Sequence, residues 1–159
     1  LVHRLDKETS GILLVAKTNK THRFFQEKWP EVEKTYIAHV LGSPPTEGFI
    51  ESHIGRSQKD RKKMAVCPES RGKYAKTYFK KIQTLSEKPK RSILSVKLFT
   101  GRTHQIRVHL QSIGHPIIGD PLYGESTKTR MHLHAQKLSF PDPDQEGYPT
   151  QTLVSPPSF

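Results

Sequence analysis

The sequence predicts an α+β domain, mostly strands with a few short helices, and three observations carry that expectation. Apolar residues fall in short runs bounded by Gly, Pro, Asn and Ser. One stretch, RTHQIRVHLQSIG, switches to a helical period, with Ile106, Leu110 and Ile113 at i, i+4 and i+7. A chain of 159 residues with 33% hydrophobic content is long enough to bury a core of its own.

The elements follow in order. Gly11–Lys17 (GILLVAK) is a continuous apolar run and reads as a strand buried on both faces. Thr18 or Asn19 then caps a helix through KTHRFFQEKW, stopped by Pro30. Lys34–Gly42 reads as a second strand, closed by Gly-Ser-Pro-Pro. GFIESHIG and MAV form a hairpin-like pair around the basic turn RSQKDRKK. YAKTYFKKIQ and RSILSVKLF are two more strands joined by the polar TLSEKPK. In the second of these, Leu94, Val96 and Leu98 alternate with Ser95 and Lys97, as in a half-buried strand. The helix of RTHQIRVHL ends near Gly114 and Pro116. HPIIGDPLYG is a loop with a short apolar centre, RMHLHAQKLSF is the last strand, and the Pro-rich tail from Pro141 wraps the surface.

Charge narrows the partners. Lys and Arg total 26 against 15 acidic residues, a net charge of +11 that points to a polyanion. A membrane is the weaker choice, because the longest apolar run, Ile12–Ala16, is far short of the ~20 residues a spanning helix needs. No signal-peptide pattern opens the chain, and the lone Cys67 rules out an internal disulfide and a Cys-based zinc cage, which suits a reducing, cytoplasmic setting. The first residue is Leu1 and an organised motif begins at once, so the chain reads as the interior of a longer protein.

Four features carry candidate chemistry. Asp6 in HRLDKETSG stands between Arg4 and Lys7, where nearby cations favour the ionised carboxylate. By itself the pattern favours an Asx-turn over a buried ion-pair partner or a reacting group. Arg102, in GRTHQIRVH, stands at a strand-to-helix junction where its guanidinium can reach a site edge; His104 and Arg107 add donors beside it. Tyr36 is either a core tyrosine or a ring on which a base stacks. His104, His109, His115, His132 and His134 match no zinc spacing, so no metal is expected.

HRLDKETSG, KTYIAHV, GRTHQIRVHL…GHPIIGDPLYG and RMHLHA occur in this order, and together they resemble the RluA-like family of pseudouridine synthases from Leu1 to about Phe140. The resemblance implies a mixed, largely antiparallel β-sheet flanked by helices and loops, with 1–159 a single, partial catalytic domain. It implies isomerisation of uridine in structured ribosomal or transfer RNA, without cofactor. It makes Asp6 the catalytic aspartate, Tyr36 the ring that stacks on the target base, Arg102 the partner of the carboxylate, and Leu133 an apolar wall of the pocket. Asp142 in FPDP is a departure, since many relatives have His there.

Arg4, Lys34, His104 and Arg107 are the expected RNA contacts, and the protein is expected to act as a monomer in the cytoplasm, or in mitochondria if the host is eukaryotic. The chemistry suits the assignment: breaking an N-glycosidic bond and rejoining uracil through carbon needs no oxidant, phosphate donor or metal. A carboxylate can capture or stabilise a cationic sugar, or take a sugar proton. The rival is a non-catalytic RNA-binding module on the same fold. It would share the charge and Tyr36 but lack the carboxylate and its arginine. A metal-dependent nuclease would need clustered carboxylates that the sequence does not offer.

Overall fold

The structure, a computed structural model, describes residues 1–85, 88–125 and 129–159. Its frame is an eight-stranded mixed sheet: β1 (Ser10–Gly11), β2 (Glu33–Leu41), β3 (Glu47–Arg56), β4 (Met64–Cys67), β5 (Lys73–Leu85), β6 (Arg91–Leu98), β7 (Leu133–Pro141) and β8 (Thr150–Val154). Two helices, α1 (Asn19–Lys28) and α2 (Gln105–Ser112), accompany it. The strand order is β1-β7-β2-β6-β5-β3-β4, and β8 also pairs with β7. Every pairing is antiparallel except β1 with β7. The predicted α+β class and largely antiparallel sheet are therefore what the chain forms.

Strand alternation sorts the sheet into two faces. Tyr36, Val96 and Phe79 lie across from one another on β2, β6 and β5, and Ala38 lies across from Leu94 and Leu133. All six are buried, and Ile106 and Leu110 of α2 close over them. The opposite face carries Phe49, Tyr78 and Lys97 in one row and is open to solvent near Phe49 and Phe99. Thr18 caps α1, its hydroxyl accepting from the Thr21 N–H at 3.1 Å, and a 3-10 turn containing Pro30 ends that helix.

Three expectations need correction. Gly11–Lys17 is not a strand buried on both faces. Only Ser10–Gly11 pairs, the last ladder bond is the Ile12 N–H to the Ala135 carbonyl, and Leu13 and Val15 are 44% and 55% exposed. An apolar run is buried only where neighbours cover it, and here a ladder forms on one side for two residues. The tail is more than a surface wrap: β8 extends the outer edge of β7, and Phe159 stacks on His132 at 4.7 Å. Ile113 falls after the last residue of α2 and is 37% exposed, so the helical stripe ends at Leu110. Ser86 and Glu87, within the predicted TLSEKPK connection, lie outside the described residues. Among the described residues no helix is long and apolar enough to cross a membrane.

Candidate active site

A cavity of about 270 Å³ opens on the α2 side of the sheet, between the loop that carries Asp6 and the start of α2. All eight predicted site residues line it: Arg4, Asp6, Lys34, Tyr36, Arg102, His104, Arg107 and Leu133. They come from the N-terminal loop, β2, the β6–α2 junction, α2 itself and β7, so the sheet gathers side chains more than a hundred residues apart.

Asp6 is held in a turn closed by the Thr9 N–H donating to the Asp6 main-chain carbonyl at 2.9 Å. Its carboxylate does not make that turn. Oδ2 instead accepts from Arg107 Nη1 at 3.2 Å, and the side chain is 17% exposed. The Asx-turn alternative is thereby replaced by an ion pair.

The partner differs from the sequence expectation. Arg107, not Arg102, meets the carboxylate. Arg102 donates Nε to the Tyr74 carbonyl at 2.8 Å, and its own N–H is held by Gln105 Oε1 at 2.9 Å. Gln105 is buried and spans the junction, donating to the Lys76 carbonyl and to Thr77 Oγ1. The Gly-Arg-Thr segment is thus pinned to β5, and Arg102 is engaged there and not with Asp6. Arg107, one residue past Ile106 on α2, points inward and is 1% exposed. So buried a side chain is no phosphate-binding surface, and the expectation that Arg107 contacts RNA is also corrected.

Arg107 is fixed from behind by Asp120, a residue the sequence reading passed over. Nε and Nη2 donate to the two Asp120 oxygens at 2.8 Å each, a bidentate pair with Asp120 wholly buried. Burial opposes ionisation of Asp120. The Arg107 hydrogen bonds and the N–H groups of Leu122 and Tyr123 outweigh it and hold its carboxyl below the usual carboxylate range. Gly119 enables this placement: its φ is +73°, and a Cβ there would collide with the Arg130 carbonyl. A clue was legible in IIGDPLYG, where one acid stands inside an apolar loop.

Two carboxylates share one guanidinium, which leaves a net negative charge. Asp120 takes the two short bonds and Asp6 the single longer one, and no described residue donates to Asp6 Oδ1. The unshared charge therefore faces the cavity. Tyr36 and Leu133 wall it with apolar surface, 7% and 3% exposed. Burial, and then the Asp6 charge, push the Tyr36 phenol up to about 12, so it stays protonated at any physiological pH. Arg4 is exposed at the mouth, and Lys34 lies 4.6 Å over the Trp29 ring.

The other histidines have separate partners. His109 bonds Thr77 and Ser52, His115 bonds the Leu41 carbonyl, His132 meets His39, and His134 bonds Ser10 and the Ser155 carbonyl. Among the described residues no group of three or more His, Cys, Asp or Glu is placed to hold a metal. Asp142 accepts from the Asp144 N–H, Gln145 and Gln151 in a turn away from the cavity.

Comparison with known proteins finds relatives in sequence and in fold. A family model described as RNA pseudouridylate synthase matches residues 1–112. The chain is 42% identical to the ribosomal large subunit pseudouridine synthase D of Zymomonas mobilis, over 88% of this chain and 44% of that protein. It is 38% identical to the dual-specificity RNA pseudouridine synthase RluA of Salmonella typhi, over 89% of this chain and 67% of that one. It thus spans less than half the length of the first. Among solved structures it is similar to human RNA pseudouridylate synthase domain containing 1, with a TM-score of 0.85 and 30% identity, over 99% of this chain and 69% of that chain.

Proposed function

Because the chain belongs to the RNA pseudouridylate synthase family, in its RluA-like branch, we propose that it isomerises uridine to pseudouridine in a structured ribosomal or transfer RNA, as a monomer in the cytoplasm. One observation carries the reading: the Asp6 carboxylate, held by Arg107 through a single 3.2 Å bond, at a cavity walled by Tyr36 and Leu133.

A uridine turned out of its stack enters this cavity, and Tyr36 supplies replacement contact for the base. Asp6 then acts at the sugar as the glycosidic bond breaks, its charge placed for the cationic character that develops there. Arg107 holds the carboxylate in position, and no cofactor takes part. Arg102 is the rim cation that remains. With Nε on Tyr74, its terminal nitrogens have no partner among the described residues, and it borders a second, open cavity with Arg71 and Lys73. These three, with Arg4 and Lys34 at the mouth, form the phosphate-contacting edge.

The test is release of tritium from RNA labelled at uracil C5, because joining C5 to the sugar expels that hydrogen. The wild type should release it after EDTA treatment as before, using an RNA whose fold does not need magnesium. No release from ribosomal or transfer RNA would sink the reading.

A further inference from the structure

Among the described residues His104 and Tyr148 are the two non-glycines with a positive φ, and His104 is the one that lines the cavity. Its φ is 55° and ψ 22°, the left-handed region that a β-carbon disfavours, at the position just before α2. Such a conformation persists only when the surroundings hold it, and residues kept this way cluster at functional sites. Here a definite contact does the holding: His104 Nδ1 lies 2.8 Å from the Tyr123 hydroxyl.

The same hydroxyl accepts from the Met64 N–H at 2.7 Å, and Tyr123 is half-buried beside Arg107, whose guanidinium carbon lies 5.0 Å from the ring centre. The hydroxyl has one proton to give, and His104 Nδ1 is the acceptor in reach among the described residues. With the hydroxyl proton given to Nδ1, the geometry assigns the tautomer whose ring proton sits on Nε2. Nε2 has no hydrogen-bond partner among the described residues, and the ring lines the same cavity as Asp6, Tyr36 and Arg107. Burial lowers the readiness of His104 to take a second proton, with Asp6 pulling the other way and Arg107 reinforcing burial. The group presented to the cavity is a neutral imidazole N–H.

Resting on the isomerase reading above, we propose that His104 is a catalytic residue of this site, its Nε2–H donating a hydrogen bond to a carbonyl oxygen of the reacting uracil. When the bond from the sugar carbon to N1 breaks, both electrons leave with the base, and the negative charge spreads over N1 and the carbonyl oxygens. A donor aimed there stabilises the detached anion with no proton transferred. It also steadies the ring while C5 replaces N1 at the sugar; the C5 proton then passes to water and N1 takes up a proton from water, which leaves the product base neutral. Tyr123 is a positioning residue, acting through Nδ1. The arrangement puts opposite demands on separate groups: Asp6 serves the electron-poor sugar and His104 the electron-rich base.

His104→Gly separates this role from a structural one. Glycine suits φ 55°, so the backbone is relieved and the fold retained. If His104 only completed a turn, His104→Gly would turn over RNA like the wild type. If it is the donor, turnover at saturating RNA should fall about 10²-fold, with the RNA dissociation constant little changed. Added imidazole should restore part of the loss. His104→Asn, which tolerates the left-handed backbone and keeps an N–H, should retain more activity than His104→Gly. Tyr123→Phe should lose less again, since the imidazole stays but its tautomer is freed. His104→Gly turning over within about threefold of a wild type that does isomerise uridine overturns the donor role alone. A wild type without isomerase activity removes the function and this residue's part in it together.

Discussion

The protein pairs acids with bases in two very different settings, one on each face of its sheet. Behind the cavity, Arg107 and Asp120 are 1% and 0% exposed and meet through two 2.8 Å bonds, with Asp6 as the third member. On the open face, Lys97 meets Glu33 and Lys76 meets Glu51 at similar distances, with Lys76 4.7 Å over the Phe49 ring. Length hardly distinguishes the two sets; water does. Exposed pairs exchange freely with solvent and gain little from their geometry. The buried set cannot exchange, so each member fixes the next, and removing Arg107 would strand two carboxylates. A carboxylate that must keep both its charge and its direction is served by the second arrangement.

The largest expected effect tests what the buried set exists to aim. Asp6→Asn keeps shape and hydrogen-bonding capacity but removes the charge. Turnover should fall below detection while RNA affinity and thermal midpoint stay close to wild type. Near-normal isomerisation by a folded Asp6→Asn would make the carboxylate a structural ion-pair partner and dissolve the contrast.

Asp120→Asn comes next and separates aiming from reacting. It weakens the bidentate contact and leaves Arg107 with Asp6 as its remaining carboxylate, so stability should drop by roughly 1.5–3 kcal/mol. The guanidinium, released from its bidentate hold, then pairs more fully with Asp6 and quenches the charge turned to the cavity. Denaturant unfolding beside single-turnover kinetics reads both effects. A loss of stability with turnover intact would show that Asp120 supports the fold without orienting the site.

Acid should loosen the same side of the sheet. His109 is wholly buried, bonded to Thr77 and Ser52, and burial brings its pKa down to about 4 from an ordinary 6.5. Its neutral form belongs to the folded state. The stabilisation is thus fully present above 6.5, declines as the unfolded chain takes up a proton, and is gone once pH passes below about 4. The difference amounts to about 3 kcal/mol. Asp120, held below its usual range, works in the same direction at still lower pH. His109→Gln should flatten the stability profile between pH 6.5 and 4. An unchanged slope would move the acid sensitivity elsewhere.

Most of the frame was legible because strand alternation and turn residues are local signals. RSILSVKLF alternates and forms β6; Thr18 and Pro30 bound α1 as their chemistry dictates. What failed was non-local. GILLVAK has the apolar content of a buried strand, but a strand needs a ladder, and its pairing ends after Gly11. The site was legible as a set of residues and not as a set of bonds. Both Arg102 and Arg107 stand in the right motif. Which one faces Asp6 is decided by Gln105 tying the junction to β5 and by Asp120 reaching back from a loop thirteen residues on, relations that spacing does not encode. The left-handed turn at His104 likewise carries no glycine to announce it.

The smallest expected effect lies on the open face. Lys97 and Glu33 are 37% and 58% exposed at the side chain, and their 2.8 Å contact is the main reason Glu33 holds its charge to lower pH than an ordinary glutamate. A double-mutant cycle with Lys97→Ala and Glu33→Ala should give a coupling of about 0.2–1 kcal/mol. In about 1 M salt, where screening reaches ~3 Å, that coupling should vanish, because both ends are in water and counterions replace the partner. The corresponding Arg107–Asp120 penalty should barely respond to salt, since ions do not enter the space between them. Water access is the variable that separates the two faces, so salt is the sharper probe than the size of either number. A coupling at Lys97 and Glu33 that survived 1 M salt would mean that the open face is covered in solution, and the contrast between a buried, aimed charge and exposed, exchangeable ones would fail at its weaker end.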